Sequence, residues 1–217
     1  MAVRQQILHA TAPATLPVFS CNPTGFLYPI NTLLFSFGIE TMSDKGGFIL
    51  LNTGDGKGKT TAAIGAALRM LGHGKRVCLI QFLKSRPSAE LESLRKFGDA
   101  VEIHQTGKGF VGVKGKEPTP DDIEAAREAL RLAKEKISSG DYDLVILDEV
   151  TYIIDFSLST VAEVCGVLDS RPEHVYIFMT GRDAHPELVK RAAMVTEMKE
   201  VKHPFQSGVK ARKGIEF

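Results

Sequence analysis

Ten residues, NTGDGKGKTT (52–61), carry most of the chemistry visible in this chain. Gly54, Gly56 and Gly58 let the backbone turn sharply and aim its N–H groups inward, which makes a nest for an anion. Lys59 adds a positive charge for phosphate oxygens, and the Thr60 hydroxyl is placed for a divalent cation such as Mg2+ or Mn2+. A helix beginning here would point its positive dipole end at the same spot. The usual spacing of such a loop is G-x-x-x-x-G-K-[ST]. Here Thr53 stands at the first position and Gly54 comes one residue late. The plain alternative is a glycine-rich turn that merely joins a strand to a helix. Against it, a lysine buried behind an apolar strand needs an anion. Asp55, Lys57 and Thr61 complete the stretch expected to bind nucleotide phosphates.

A second cluster lies downstream. DYDLVILDE (141–149) is an apolar strand that ends in two carboxylates, Asp148 and Glu149. Ligands of open α/β sheets sit at the carboxyl ends of strands, so both acids are expected to face the phosphates across a shared metal. An acidic turn after a strand is the bland reading. Arg182, in Thr180-Gly181-Arg182 after another strand, is a candidate clamp for phosphate or ribose, or else a solvated loop arginine. The glycine-rich stretch from Gly107 to Gly115 fits either a loop that closes over a ligand or a surface connection. His73 reads as a loop residue, His104 as a core or edge residue and His185 as a helix start; no cysteine–histidine grouping has zinc spacing.

The elements that must position these residues alternate. Strands are expected at 48–52, 77–82, 101–105, 144–147, 175–180 and 195–201, several of them continuously apolar as strands buried on both faces should be. Helices are expected at 59–71, 88–97, 120–138, about 160–168 and 185–194. The clearest is 120–138, with Ile123, Ala126, Leu130, Ala133 and Ile137 on one stripe, Thr119 as N-cap and Gly140 at its end. The alternation predicts an α/β fold, a mostly parallel sheet of about six strands with helices on both faces.

Composition supplies context. The chain has 217 residues, 43% of them hydrophobic and 24% charged, with a formal net charge of +1. That balance gives no electrostatic ground for a nucleic-acid or membrane-surface partner. No run approaches the roughly 18 apolar residues of a membrane span. Three cysteines without a C-x-x-C point to reduced thiols and a cytoplasmic protein. Residues 1–41 differ from the rest, with four prolines and only Arg4 and Glu40 charged. They are read as an N-terminal extension, either a mis-assigned start or a poorly ordered tail, ahead of a single domain over 42–217 that opens at Met42.

Several segments together resemble one family, the P-loop ATP:corrinoid adenosyltransferases of cobalamin biosynthesis. The resemblance rests on TGDGKGKTTAAIGAALRMLGHGKRV (53–77), IQFLK (80–84), GKGF (107–110), DLVILDEVTY (143–152), the 171–183 region and the tail VTEMKEVKHPFQSGVKARKGIEF (195–217). It implies a P-loop NTPase fold of RecA-like type. It also implies transfer of the 5′-deoxyadenosyl group of ATP to the Co(I) of cob(I)alamin or a cobyrinic acid derivative, with triphosphate as leaving group. Gly54 to Thr60 would then bind phosphates, Lys57 and Lys59 would neutralise them, Thr60 and Glu149 would hold the metal, and Asp148 would support it. Phe110 matches an aromatic that removes the lower axial ligand of the corrinoid; relatives place a tryptophan two residues on, where this chain has Gly112 and no tryptophan anywhere. A reduced flavoprotein electron donor and a homodimer are also implied. A RecA-like ATPase or a nucleoside kinase would share the loop and the acidic strand end, but not the tail.

Overall fold

In the computed structural model the described residues are 46–84, 88–107 and 118–215. Phe110, most of the glycine-rich loop around it and the leading 41-residue segment fall outside them. Among the described residues six strands form one sheet: β1 Ile49–Thr53, β2 Val77–Gln81, β3 Val101–Gln105, β4 Leu144–Asp148, β5 Tyr176–Thr180 and β6 Met194–Glu197. Their spatial order is β3-β2-β4-β5-β1-β6, and every pair is parallel. The expected α/β architecture is therefore present, with parallel pairing throughout.

Side-chain period explains how the sheet is covered. Strand residues alternate faces, and the two apolar clusters divide along that alternation. Cys78, Ile80, Val145, Leu147, Ile177 and Met179 pack on one face. Val77, Leu79, Leu144, Ile146 and Phe178 pack on the other. The second face is closed by α1 (Lys59–Gly72) and α2 (Ala89–Arg95), where Ala63 and Ala67 let α1 lie close to the strands. The first face is closed by α3 (Pro120–Ser138), α4 (Tyr152–Asp155), α5 (Val161–Leu168) and α6 (Pro186–Arg191). The central strands β2 and β4 are buried along their whole length, as their continuous apolar runs require.

Local chemistry sets the helix bounds. Thr119 and Asp122 form a reciprocal capping box with Pro120 at the first turn, so α3 starts and stops where the sequence places it. Thr160 and Glu163 do the same for α5. By contrast, α6 ends at Arg191, short of the expected 194, because Ala193 N–H bonds Ile49 O at 2.9 Å and draws the chain into β6. His185 caps α6 through its ring Nδ1, and His104 sits on the edge strand β3 against Glu102. The free Cys78 and Cys165 are buried, and among the described residues no helix is long and apolar enough to cross a membrane.

Four strand ends converge at one edge. The segments after β1, β2, β4 and β5 bring together residues 54–61, Lys84, Asp148–Glu149 and Arg182.

Candidate nucleotide site

Immediately after β1 the backbone turns through left-handed conformations at Gly54 (φ 91°) and Gly58 (φ 114°), where a side chain would be strained. Gly58 is also the N-cap of α1, and no side chain caps that helix. Its first N–H groups are thus aimed at the loop, as an anion site requires. Thr53 has a structural reason to replace the customary glycine: its hydroxyl accepts the Ala184 N–H at 3.2 Å and ties the loop after β1 to the loop after β5.

Lys59 is nearly buried and arches back over its own loop, donating to Gly54 O at 2.5 Å and Gly56 O at 2.8 Å. Burial lowers its pKa, and Arg182 adds to the effect, while Glu149 partly opposes it. A phosphate entering the loop would replace carbonyl dipoles with full negative charge and relieve that penalty.

Asp148 ends β4 fully buried, with side-chain donors on both oxygens. Oδ1 accepts from Thr60 Oγ1 and Thr180 Oγ1, each at 2.7 Å. Oδ2 accepts from Gln81 Nε2 at 2.9 Å and Lys84 Nζ at 2.7 Å. This carboxylate is the hub of the site and holds the Thr60 hydroxyl in one orientation.

Glu149 is built differently. Its backbone takes φ 64°, unusual for a residue with a side chain, and Thr180 Oγ1 accepts its N–H at 2.9 Å. The turn sends the carboxylate to the cleft, where Oε2 is buried without a hydrogen-bond partner and Oε1 lies 3.7 Å from Lys84 Nζ. Burial and then the Asp148 charge raise its pKa; Lys84 and Lys59 offset part of that rise. For Lys84 the balance runs the other way: burial works to discharge it, but Asp148 and then Glu149 hold its pKa above the ordinary lysine value.

Lys59, Thr60, Lys84 and Glu149 line a cleft of about 710 Å³, and the fully buried Asp148 supports it through its hydrogen bonds to Thr60 and Lys84. Asp55, Lys57, Thr61 and Arg182 also line it, with Arg182 Nε 3.9 Å from Asp55 Oδ1. The structure thus brings together every described residue singled out for the site. Sequence reasoning had not singled out Gln81, Lys84, Thr180 or Tyr152. A usable signal existed for Gln81, a polar residue in the otherwise apolar run VCLIQF. The rest of the wall comes from α2, through Ala89, Glu90 and Ser93, and from the C-terminal tail, through His203, Phe205 and Ile215 among others.

A family model described as ATP:corrinoid adenosyltransferase BtuR/CobO/CobP matches residues 45–217, which include all parts of this cleft. The corrinoid adenosyltransferase of Escherichia coli strain K12 is 38% identical over 180 residues, covering 82% of this chain and 90% of that protein. The corrinoid adenosyltransferase of Pseudomonas aeruginosa is 36% identical over 180 residues, with 82% and 88% covered. Among solved structures, the flagellar accessory protein FlaH of Methanocaldococcus jannaschii aligns over 70% of this chain and 71% of its own, at 12% identity and a TM-score of 0.45. On the family match and the curated relatives, the chain belongs to the ATP:corrinoid adenosyltransferase family.

Proposed function

We propose that the cleft binds ATP with its triphosphate in the 54–61 loop and presents the ribose C5′ to the cobalt of a reduced corrinoid. As a member of its family the chain is an adenosyltransferase. In the step proposed, the Co(I) electron pair forms the Co–C5′ bond while the C5′–O bond breaks, and triphosphate leaves with the electron pair of the broken C5′–O bond. Cobalt in this state is a strong nucleophile, so the protein's work is alignment and neutralisation of the departing polyanion. Lys59, Lys57 and the loop amides supply neutralising charge, and Arg182 is placed to reach phosphate or ribose.

The donor set fits Mg2+ or Mn2+. Glu149 Oε2 is a buried oxygen with no partner, and the Thr60 hydroxyl spends its proton on Asp148, leaving lone pairs for a cation. When bound, the metal would add positive charge against the phosphate oxygens. Thr60 and Glu149 would hold it. Asp148, whose oxygens already receive four donors, orients Thr60 without ligating. Among the described residues no group of three or more His, Cys, Asp and Glu gathers into an all-protein cage. That suits a cation that takes its remaining ligands from nucleotide and water.

The observation that carries this reading is the reach of the family match: it spans both the loop and the C-terminal tail, and the tail forms a wall of the loop's cleft. The same reading includes a reduced flavoprotein as electron donor, Phe110 as the aromatic against the corrinoid, a homodimer and a cytoplasmic setting. Incubation with ATP, Mg2+ and chemically reduced cob(I)alamin tests it. The expected products are inorganic triphosphate and a light-sensitive Co–C chromophore; ADP or phosphate with an unchanged corrinoid spectrum would overturn it.

A further inference from the structure

The tail is the feature most specific in sequence and least used by the chemistry above. After β6 it stays on the phosphate loop: Met198 N–H bonds Thr53 O at 2.8 Å, and Met198 O accepts the Gly56 N–H at 2.6 Å. It then leaves, folds through a short 3-10 turn at Pro204–Ser207, and returns, so that Lys57 Nζ donates to Ile215 O at 2.9 Å. Both ends of the 199–214 excursion are therefore pinned to adjacent residues, Gly56 and Lys57. Internal bonds keep it compact, with Gln206 Nε2 donating to Glu200 Oε1 at 2.6 Å, Val209 N–H to Pro204 O at 3.2 Å and Ile215 N–H to Arg212 O at 3.1 Å. This is an Ω-loop closed on the phosphate nest.

Into the cleft it carries Glu200 and His203 together with two large apolar side chains. Phe205 and Ile215 line the wall and are 74% and 71% exposed, an unusual state for two large hydrophobic side chains held beside a phosphate site. An exposed aromatic ring and an exposed aliphatic side chain in the same cleft as an anion nest match a ligand with both parts in one molecule. The tail is bonded to the loop at Gly56 and Lys57, so a ring joined covalently to phosphates in the loop lies in the same cleft as Phe205. We propose that the Ω-loop 199–214 is the seat of the nucleotide base, with Phe205 stacking on the purine and Ile215 packing at its edge. The proposal rests on the nucleotide reading of the cleft and assigns the tail the recognition of the base. The Gly56 N–H on Met198 O and the Lys57 Nζ on Ile215 O tie the nest and the base seat together at two points.

The test compares three probes on the full chain: MgATP, magnesium tripolyphosphate and cob(II)alamin, with affinities measured by calorimetry. Phe205→Ala is expected to weaken MgATP roughly tenfold or more, in line with the usual strength of base–aromatic stacking. Tripolyphosphate, which has no base, should bind as in the wild type, and Phe205→Tyr should restore ATP affinity. Three results would overturn the proposal: unchanged ATP affinity, an equal loss for ATP and tripolyphosphate, or a loss confined to the corrinoid. Failure of the wild type to bind tripolyphosphate would instead count against the nucleotide reading itself, so the two failures are distinguishable.

Discussion

Replacing Asp148 by Asn changes one atom of a buried side chain and sets its four donors against each other. With the amide oxygen kept toward Thr60 and Thr180, the new NH2 faces Gln81 Nε2 and Lys84 Nζ, which are donors. Gln81 cannot turn its amide to compensate without losing Gln105, whose Nε2 donates to Gln81 Oε1 at 3.0 Å. With the Asn reversed, Lys84 and Gln81 keep an acceptor, but the Thr180 hydroxyl loses one and Thr60 must accept where it donated. Thr60 would then turn its lone pairs away from the cation. An unsatisfied buried donor costs about 1–3 kcal/mol, and removing one partner of a buried ion pair about 3–5 kcal/mol. Lys84 keeps 37% of its side-chain surface in water and can swing outward, which places the expected loss near the lower end, about 2–3 kcal/mol. For a domain of this size that is a fall of roughly 4–12 °C in the melting temperature followed by circular dichroism. Lys84→Met in the same background should remove part of the cost, with a coupling of about 0.5–3 kcal/mol in the double-mutant cycle. A D148N melting point within a degree of wild type, or strict additivity with Lys84→Met, would refute the hub assignment.

Two further outcomes follow from the same geometry. Gly56→Ala places a Cβ 2.7 Å from Met198 O, so it should cost about 1–3 kcal/mol in chemical denaturation and weaken MgATP, whereas Gly65→Ala, with open space around the added methyl in α1, should gain up to about 1 kcal/mol; equal effects would show that the tail does not crowd the loop. Glu149 has its pKa raised by burial and Asp148, so the folded state holds its proton more tightly than the unfolded chain and loses stability as pH rises between the two values. Glu149→Gln is therefore expected to raise the melting temperature of the metal-free protein at neutral pH and not near pH 4. It should also weaken Mg2+-dependent ATP binding in a way that high Mg2+ partly recovers; a metal-independent collapse of activity would indicate a water-activating base instead.

How far the sequence reveals this arrangement depends on where the decisive contacts lie. Helix α3 is legible to the residue because Thr119, Pro120 and Asp122 write its start into local chemistry. The strands are legible because burial on both faces demands unbroken apolar runs. The end of α6 is not, since a pairing with Ile49 outweighs a helical pattern that would otherwise continue. In the site, the residue types of the loop and of Asp148–Glu149 announce phosphate and metal chemistry, but the division of labour between the two acids does not show in their adjacency. It is set by a left-handed turn at Glu149 and by donors from α1, β2, the segment after β2, and β5. The tail's docking is least visible of all. Its anchors on the loop are the backbone carbonyls of Met198 and Ile215, and every residue has a carbonyl.

The irregular loop spacing has its explanation in those same contacts. The left-handed turn at Gly54 (φ 91°) needs a glycine, yet the atom that a Cβ would strike first both there and at Gly56 is Met198 O, at 2.6 and 2.7 Å. The glycines thus answer to the tail as well as to the phosphate. Thr53, at the position where other loops have glycine, is not crowded in this way, and its hydroxyl serves the Ala184 N–H across the sheet. The loop departs from the common pattern at Thr53, which is tied to Ala184, and keeps to it at Gly58, Lys59 and Thr60. Loop and tail are joined by direct contacts, so a change in one should be tolerated only with a matching change in the other. A search for the loop alone would find the phosphate and miss the wall that the tail contributes.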